Sequence, residues 1–477
     1  MNWRRIARAI GLAIMVTCLP ALTGAATPQK PNIVLIVSDD HGREALGAYG
    51  NRQVRTPNLD RLAADGVRFD NAFATASSCS PSRATILSGL HVHANGMYGL
   101  QHGENNFQAF PSVRSLPVRL AALGYRTGRI GKYHIAPEKV FAFQTVLSKG
   151  AANDEGSIGR SPVAMADATA DFIKDRSAPF FLYFATDDPH RDGGMAAGQP
   201  NHFGNRPQGY PGVTPITFDP ATVAVPSFLP DTPGVRQELA EYYQSIARLD
   251  QGVGRLLDLL RQNGRMEDTV VIYLSDNGAA FPGAKTNLYD PGIRLPLIVR
   301  EPGGLKGAVR QGMVSWVDIA PTILDYAGAK DETDMQGRSF RPLVDGPDAG
   351  GWNEVFASQV FHEVQMYYPM RMIRTDRYKL IWNIAHPLPF PFALDLYKSL
   401  SWQSFLAGNQ QSFGPRPVAD FMQRPAFELY DLKADPDEIH NLAADPAHAD
   451  TLRDLTERLK TFQERTNDRW LRKWEYE

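Results

Sequence analysis

The feature that most constrains the fold is an unbroken apolar run at residues 33–37 (IVLIV), with polar residues immediately after it. A strand with one solvated face alternates apolar and polar residues, so an unbroken run predicts a central strand covered on both faces. Similar runs at residues 180–184 and 269–274 also end in polar residues. With helical segments between them, these strands predict an α/β protein whose large, mostly parallel sheet carries its site at the strand carboxyl ends.

Acidic residues follow two of these strands. Asp39 and Asp40 come after the first, and Asp276 and Asn277 come after the strand at 269–274. Adjacent carboxylates at the tip of a buried strand repel each other, and a bound cation would remove that cost. Three carboxylates and an amide favour Ca²⁺, or Mg²⁺, over Zn²⁺. The alternative is a solvated loop, which is common for pairs of aspartates.

Basic and titratable residues follow other predicted strands. Lys132 and His134 come after a strand at 125–130, and His190 and Arg191 come after the strand at 180–184. Each of them alone could equally be a solvated loop residue. Their repeated placement after strands favours a shared site, where histidines suit the roles of base and acid.

Helical periodicity and capping residues predict helices at residues 56–66, 115–124, 235–262 and 317–327, and another that starts at about residue 84. A single short strand is expected at residues 69–74. Residues 192–232 are rich in Gly, Pro and Asn, which predicts a long excursion over the active face. A smaller antiparallel unit is expected from its strands and closing helix, at residues 371–374, 378–382, 428–431 and 447–470. We therefore predict a catalytic domain at 27–365 and a C-terminal domain at 366–477.

The N-terminus has the pattern of a secretory signal. Arg4, Arg5 and Arg8 precede an apolar run at residues 9–22 and small residues up to Ala26. This pattern predicts a signal peptide at residues 1–26 and a periplasmic or secreted protein, with no membrane span after cleavage. The formal net charge of −2 argues against a general nucleic-acid surface.

The chain has two cysteines, Cys18 and Cys79. Because Cys18 would leave with the signal, Cys79 would have no disulfide partner in an oxidising compartment. It is then either a buried structural residue or a modified catalytic group. Three residues separate Cys79 from Arg83, whereas a cysteine-dependent phosphatase loop has five, so the spacing excludes that phosphatase chemistry.

The run from Cys79 to Gly89 (CSPSRATILSG) resembles the signature C-x-P-S-R-x-x-x-L-x-G of the sulfatase family. The resemblance implies an alkaline-phosphatase-like sandwich with a smaller C-terminal α+β domain, and conversion of Cys79 to formylglycine by a formylglycine-generating enzyme. It further implies a homodimer and a metal site. The implied metal ligands are Asp39, Asp40, Cys79, Asp276 and Asn277.

The resemblance also implies individual catalytic roles. Arg83 and Lys132 would steady the formylglycine diol, and Lys285 would contact sulfate. His190 would protonate the leaving group, and His134 would remove the diol proton that ejects sulfate.

Further runs are similar to the branch of this family that removes N-linked sulfate from glucosamine of heparan-type saccharides. They lie at residues 78–100, 188–191, 362–364, 368–371 and 387–391. The resemblance implies that His362 and Glu363, with Arg191, read the sugar, although the first two could instead be a strand-edge pair. The alternatives are an O-sulfatase or a phosphate or phosphonate ester hydrolase, and a non-catalytic glycan-binding protein.

Overall fold

The computed structural model describes residues 30–147, 158–192, 200–329, 334–348 and 350–476. The predicted signal peptide at residues 1–26, with Cys18, lies outside the described residues. Within the described ranges, no helix combines the length and the apolar character that a membrane span requires.

The strands are numbered in chain order. They are β1 (Asn32–Ser38), β2 (Val67–Phe69), β3 (Ala72–Phe73), β4 (Arg126–Gly131), β5 (Thr145–Val146), β6 (Phe180–Ala185), β7 (Thr269–Ser275), β8 (Leu297–Arg300), β9 (Ala308–Arg310), β10 (Val314–Ser315), β11 (Glu354–Gln359), β12 (Met370–Thr375), β13 (Tyr378–Asn383), β14 (Ser412–Phe413), β15 (Arg416–Pro417) and β16 (Phe427–Asp431).

The α-helices are numbered in the same way. They are α1 (Pro57–Ala64), α2 (Cys79–Ser88), α3 (Val92–Asn95), α4 (Leu116–Ala122), α5 (Pro162–Ala168), α6 (Ala170–Lys174), α7 (Pro233–Gln262), α8 (Asp290–Ile293), α9 (Ile319–Tyr326), α10 (Arg341–Asp345), α11 (Leu394–Tyr397), α12 (Leu400–Ala407), α13 (Val418–Met422) and α14 (Ala449–Arg465).

The main sheet has eight strands in the order β5-β4-β6-β1-β7-β8-β2-β9. Neighbours pair in parallel, except that β8 runs antiparallel to both β7 and β2. The non-sequential order places β1 at the centre, between β6 and β7. The predicted large, mostly parallel sheet is therefore confirmed.

Both faces of the central strand are buried. Ile33, Leu35 and Val37 belong to the core cluster on one face, and Val34 and Ile36 belong to the cluster on the other. Residues of α2, α4 and α9 pack in the first cluster, and residues of α1 and α7 pack in the second. This α/β/α sandwich explains why the run at residues 33–37 has no polar position.

Two local predictions were wrong. The helix expected from about residue 84 begins at Cys79 and ends at Ser88, so it includes the signature except Gly89, which caps its C-terminus. The single strand expected at residues 69–74 is two short strands, β2 in the main sheet and β3 paired with β10. In the first case, the conformation of Pro81 fits the first turn of a helix, where a missing N–H costs nothing.

A second sheet has the order β11-β12-β13-β16 and is antiparallel throughout. Helix α14 packs on it through Leu455, Leu459 and Phe462. Strand β11 lies before residue 366, where the C-terminal domain was predicted to begin. Residues of both sheets share one core cluster, and the division into two domains at that residue stays a prediction.

Buried ion pairs fasten the second sheet to its surroundings. Arg371 of β12 donates to both carboxylate oxygens of Asp468, at 2.5 and 2.9 Å, and both side chains are fully buried. Lys379 of β13 contacts Asp290 at 2.6 Å and Glu438 at 2.7 Å. Breaking such a pair leaves an uncompensated charge in a low-dielectric environment.

We predict that Asp468→Asn lowers the free energy of unfolding by about 3–5 kcal/mol, because the buried guanidinium of Arg371 loses its counter-charge. The measurement is chemical denaturation followed by tryptophan fluorescence. Asp376→Asn is the matched control, because its pair with Lys433 is exposed on both sides and its loss should leave stability unchanged. Equal effects of the two changes would contradict the prediction.

Candidate active site

The predicted site residues meet at one edge of the main sheet. Strands β4, β6, β1 and β7 are adjacent and parallel, so their carboxyl ends lie side by side. The polar residues that follow these ends are Lys132 and His134, His190 and Arg191, Asp39 and Asp40, and Asp276 and Asn277, respectively.

The acidic residues form a buried, mutually bonded group. Asp39, Asp40, Asp276 and Asn277 have no exposed surface. The backbone of Asp40 is in the left-handed region, with φ of 63°, and its N–H donates to Asp276 Oδ1 at 3.1 Å. Asn277 Nδ2 donates to Asp40 Oδ1 at 2.6 Å. Burial is the main reason that the pKa of Asp40 is raised to about 6 and that of Asp276 to about 7.

Two cations, Arg83 and Lys132, balance Asp39 and Asp276. Arg83 donates through Nε to Asp276 at 2.8 Å and lies 3.4 Å from Asp39. Lys132 contacts the other oxygen of Asp39. Although burial opposes it, the charges of Lys132, His190 and Arg83 hold the pKa of Asp39 well below its usual value.

Two oxygen atoms of this group have no hydrogen-bond partner. They are Asp39 Oδ1 and Asn277 Oδ1, and both are buried. Ligand atoms of Asp39, Cys79 and Asp276 lie within 4.8 Å of one another. Unpartnered buried oxygens are costly unless something coordinates them, and hard oxygen donors are the ligands of Ca²⁺ and Mg²⁺. The donor set therefore fits a divalent cation of this class.

Cys79 is the first residue of α2, and its Sγ lies 3.9 Å from Asp40 Oδ1. The side chain is a free thiol and is buried. Burial raises the pKa of this thiol well above its ordinary value, with the nearby carboxylates and lysines acting in opposite directions. A neutral thiol is a poor nucleophile, so the unmodified side chain is not suited to attack a substrate.

His190 is fixed by bonds at both ring nitrogens. Its Nδ1 lies 2.6 Å from the carbonyl oxygen of Arg191, and its Nε2 lies 3.1 Å from Lys285 Nζ. Because a carbonyl can only accept, Nδ1 carries the hydrogen and Nε2 accepts from the lysine. Burial, then Lys285 and Lys132, hold the pKa of His190 well below its usual value.

His134 has a backbone φ of 53° and a ring stacked on that of His102. Its Nε2 lies 2.5 Å from His102 Nδ1, and its Nδ1 is buried without a partner. Burial, then Lys132 and His102, lower the pKa of His134 well below its usual value. This ring is therefore neutral at physiological pH and can accept a proton.

A cavity of about 520 Å³ is lined by Asp39, Cys79, Lys132, His134 and His190. His362 reaches it, but its Nδ1 is bonded to Ser78 Oγ at 2.8 Å, and burial lowers the pKa of its ring to about 3. Glu363 also lines it, and both of its oxygens lie 3.3 Å from the backbone nitrogen of Leu394.

Arg191 lines the cavity as well, with its guanidinium already engaged. It donates to both oxygens of Glu238, at 2.5 and 2.7 Å, and to the carbonyl of Ala280 at 2.6 Å. Glu238 in turn accepts from the backbone nitrogens of Leu400 and Ser401 at the start of α12. The arginine thus ties the loop after β6 to α12.

Asp395 and His102 are cavity residues that sequence reasoning missed. Asp395 Oδ2 accepts from Lys285 Nζ at 2.9 Å, and Lys285 also donates to Asp40 Oδ2 at 2.9 Å. Neither residue follows a strand of the main sheet, so the pattern that identified the other site residues gave no signal for them. His102 lies close to residues 78–100 and Asp395 lies close to residues 387–391, two of the runs that resemble the N-sulfate branch of the family.

Comparison with known proteins places this geometry in a family. A model described as Sulfatase matches residues 31–329, and one described as N-sulphoglucosamine sulphohydrolase, C-terminal, matches residues 284–389. The chain is 40% identical over 475 residues to N-sulphoglucosamine sulphohydrolase of Homo sapiens, covering 94% of this chain and 93% of the relative.

More distant proteins are also similar to this chain over most of its length. The chain is 26% identical to an N-acetylglucosamine-6-O-sulfatase of Bacteroides thetaiotaomicron, over 94% of this chain and 90% of the relative. A solved structure of a protein in complex with its substrate D-glucosamine-2-N,6-O-disulfate has a TM-score of 0.68 at 23% identity, covering 92% and 99% of the two chains. Phosphonate monoester hydrolase of Agrobacterium radiobacter has a TM-score of 0.65 at 20% identity, covering 91% and 96%.

The chain belongs to the sulfatase family, and its sandwich is of the alkaline-phosphatase-like kind predicted from the signature. Within that family it is similar to N-sulphoglucosamine sulphohydrolase and is a hydrolase of sulfate esters or sulfamates. The comparisons confirm both the resemblance to the sulfatase family and the resemblance to its N-sulfate branch.

We predict that Ca²⁺ alone stabilises the metal-stripped protein, by about 2.7 kcal/mol at a hundredfold excess over the dissociation constant. Because Asp40 and Asp276 have raised pKa values and must lose their protons to bind, the effect should be larger near about pH 8 than near about pH 5. The measurement is the unfolding temperature with and without Ca²⁺.

The ligand variant for this test is Asp39→Asn, which removes one charge, and Asp420→Asn is an exposed control. Stabilisation that persists unchanged in Asp39→Asn would contradict a metal site at these residues.

Proposed function

We propose that this sulfatase removes N-linked sulfate from glucosamine at the non-reducing end of heparan-type saccharides. The observation that carries the proposal is the 40% identity to human N-sulphoglucosamine sulphohydrolase, which extends over both sheets. Supporting it, the C-terminal family model covers the segment with Lys285, His362 and Glu363. The cavity of about 520 Å³ is large enough to hold the end of a saccharide.

The nucleophile in this proposal is Cys79 converted to formylglycine. The hydrated aldehyde supplies one hydroxyl that attacks sulfur and a second whose deprotonation later expels sulfate. Support comes from the family signature and from the buried, neutral thiol, which could not act unmodified. Conversion would require a formylglycine-generating enzyme of the host.

The metal ligands are proposed to be Asp39, Asp40, Asp276 and Asn277 with the modified residue 79. A calcium ion held there would polarise a sulfate oxygen and favour ionisation of the attacking hydroxyl. Arg83 and Lys132 already neutralise Asp39 and Asp276, so they hold the carboxylates in place. Lys285 Nζ is aimed at the same space and would carry part of the sulfate charge.

His190 is proposed as the general acid. His190 is neutral before substrate binds, and the negative charge of a bound sulfate would raise its pKa, so that Nε2 can carry a proton. The S–N bond breaks as the S–O bond forms, and the leaving nitrogen takes that proton from Nε2. The fixed Nδ1 contact with the carbonyl of Arg191 keeps Nε2 directed at the cavity. His134, whose neutral ring faces the cavity, would remove the proton from the second diol hydroxyl.

The location of the protein is proposed from the sequence. We infer export to the periplasm or the exterior on the signal pattern at residues 1–26 and on the family. A homodimer stays a prediction.

We predict that Cys79→Ala lowers turnover by about 10⁴-fold or more. The unfolding temperature should fall only by the small amount that the loss of one buried sulfur atom causes. The rate of sulfate release from N-sulfoglucosamine is the measurement. In parallel, mass spectrometry of the wild-type peptide that ends at Arg83 should give residue 79 the mass of the aldehyde. Activity in a fully unmodified protein would contradict the mechanism.

The proposed role of His190 as general acid can be tested by comparing substrates with different leaving groups. His190→Gln should lower kcat for N-sulfoglucosamine by about 10²–10⁴-fold, because the amine cannot leave unprotonated. An aryl sulfate, whose phenolate leaves without a proton, should lose far less. The two rates are compared in the same preparation, and equal losses on both substrates would rule out this role for His190.

A further inference from the structure

We propose that Asp395 determines specificity for nitrogen over oxygen at the bond that is cleaved, by accepting a hydrogen bond from the N–H of the leaving group. This inference rests on the proposed function, since it concerns the substrate of the same site. Asp395 lies outside the parallel sheet, in the short helix α11 of the C-terminal segment.

The side chain of Asp395 is held on the leaving-group side of the cavity. Its Oδ2 accepts from Lys285 Nζ at 2.9 Å, and its Oδ1 accepts from the backbone N–H of Leu396 at 2.8 Å. Glu363 contacts the backbone nitrogen of Leu394, which fixes the start of the same helix. The carboxylate is therefore positioned in advance of substrate binding.

The carboxylate also faces the general acid. A carboxylate oxygen of Asp395, a ring nitrogen of His190 and a carboxylate oxygen of Asp40 lie within 4.8 Å of one another. An atom that receives a proton from His190 Nε2 can therefore lie within hydrogen-bond reach of Asp395. The side chain of Asp395 is 25% exposed, whereas that of Lys285 is 1% exposed, so the carboxylate retains access to the cavity.

Asp395 has accepting capacity left for a ligand. Each of its oxygens has two lone pairs, and one hydrogen bond is present at each. Burial opposes ionisation, but Lys285, His362 and His190 together hold the pKa of the carboxyl below its usual value. An ionised carboxylate accepts hydrogen bonds and donates none.

A carboxylate that only accepts hydrogen bonds distinguishes N-linked sulfate from O-linked sulfate. The bridging nitrogen of an N-sulfated sugar carries one hydrogen, which can be donated to Asp395. After the S–N bond breaks and His190 supplies a proton, the product amine carries two hydrogens, and the free ammonium carries three. The bridging oxygen of a sulfate ester carries none and would place its lone pairs against the carboxylate. Sites built to bind an N–H discriminate strongly against analogues that lack it.

A purely electrostatic role for Asp395 is the competing explanation. As the counter-ion of Lys285 it would orient the lysine for every sulfate, whatever the leaving atom. The two roles differ in one respect, because only a hydrogen bond to the leaving nitrogen makes the effect depend on the substrate.

The test is Asp395→Asn, an isosteric change that removes the charge. We expect kcat/KM for N-sulfoglucosamine to fall at least about tenfold relative to kcat/KM for an aryl sulfate measured in the same preparation. Asp420→Asn, an exposed aspartate in α13, should leave both values unchanged. A loss of the same size on both substrates would assign Asp395 to the lysine alone and overturn the proposal.

A second measurement uses the product glucosamine and its N-acetyl derivative as inhibitors of aryl sulfate hydrolysis. Wild-type protein should bind glucosamine, an ammonium, at least about tenfold more tightly than N-acetylglucosamine, and Asp395→Asn should lose that preference. Failure of wild-type protein to cleave N-sulfoglucosamine would refute the proposed function, while inhibition by glucosamine would still report on Asp395. Equal inhibition by the two sugars in wild-type protein would overturn the role of Asp395.

Discussion

The structure depends on the burial of three carboxylates, Asp39, Asp40 and Asp276, at the ends of two adjacent strands. Like charges this close cannot all ionise in a low-dielectric environment without compensation. Arg83, Lys132 and Lys285 supply part of it. The unpartnered oxygens of Asp39 and Asn277 are available to the proposed cation, which would complete the balance and favour the binding of an anion.

The parallel sheet makes this concentration of charge possible. Strands β1 and β7 pair in register from Asn32–Thr269 to Ser38–Ser275, so the acidic residues that follow them emerge together. The strands on the other side of β1 deliver His190, Lys132 and His134 to the same edge. Apolar contacts on both faces fix the positions of the strands, and the site inherits their rigidity.

This arrangement explains what could be predicted from the sequence. Residues that follow a buried strand, such as Asp39 or His190, were identified because the strand ends of a parallel sheet share an edge. Asp395 and His102 lie on segments without such a strand, and their positions depend on packing between distant parts of the chain. Arg191 lines the cavity, yet its pairing with Glu238, 47 residues further on, had no local signal.

In the proposed mechanism, chemistry and specificity are divided between two parts of the fold. The segment that carries Lys285 is fastened to the second sheet, since Tyr289 donates to Glu428 at 2.7 Å and Asp290 pairs with Lys379 at 2.6 Å. Asn287 also accepts from Arg424, just before β16, at 2.6 Å. The C-terminal segment thereby positions the lysine that is proposed to contact sulfate, and its helix α11 adds Asp395 beside it. A change in this segment can alter which leaving group is accepted while the carboxylates and the nucleophile stay in place.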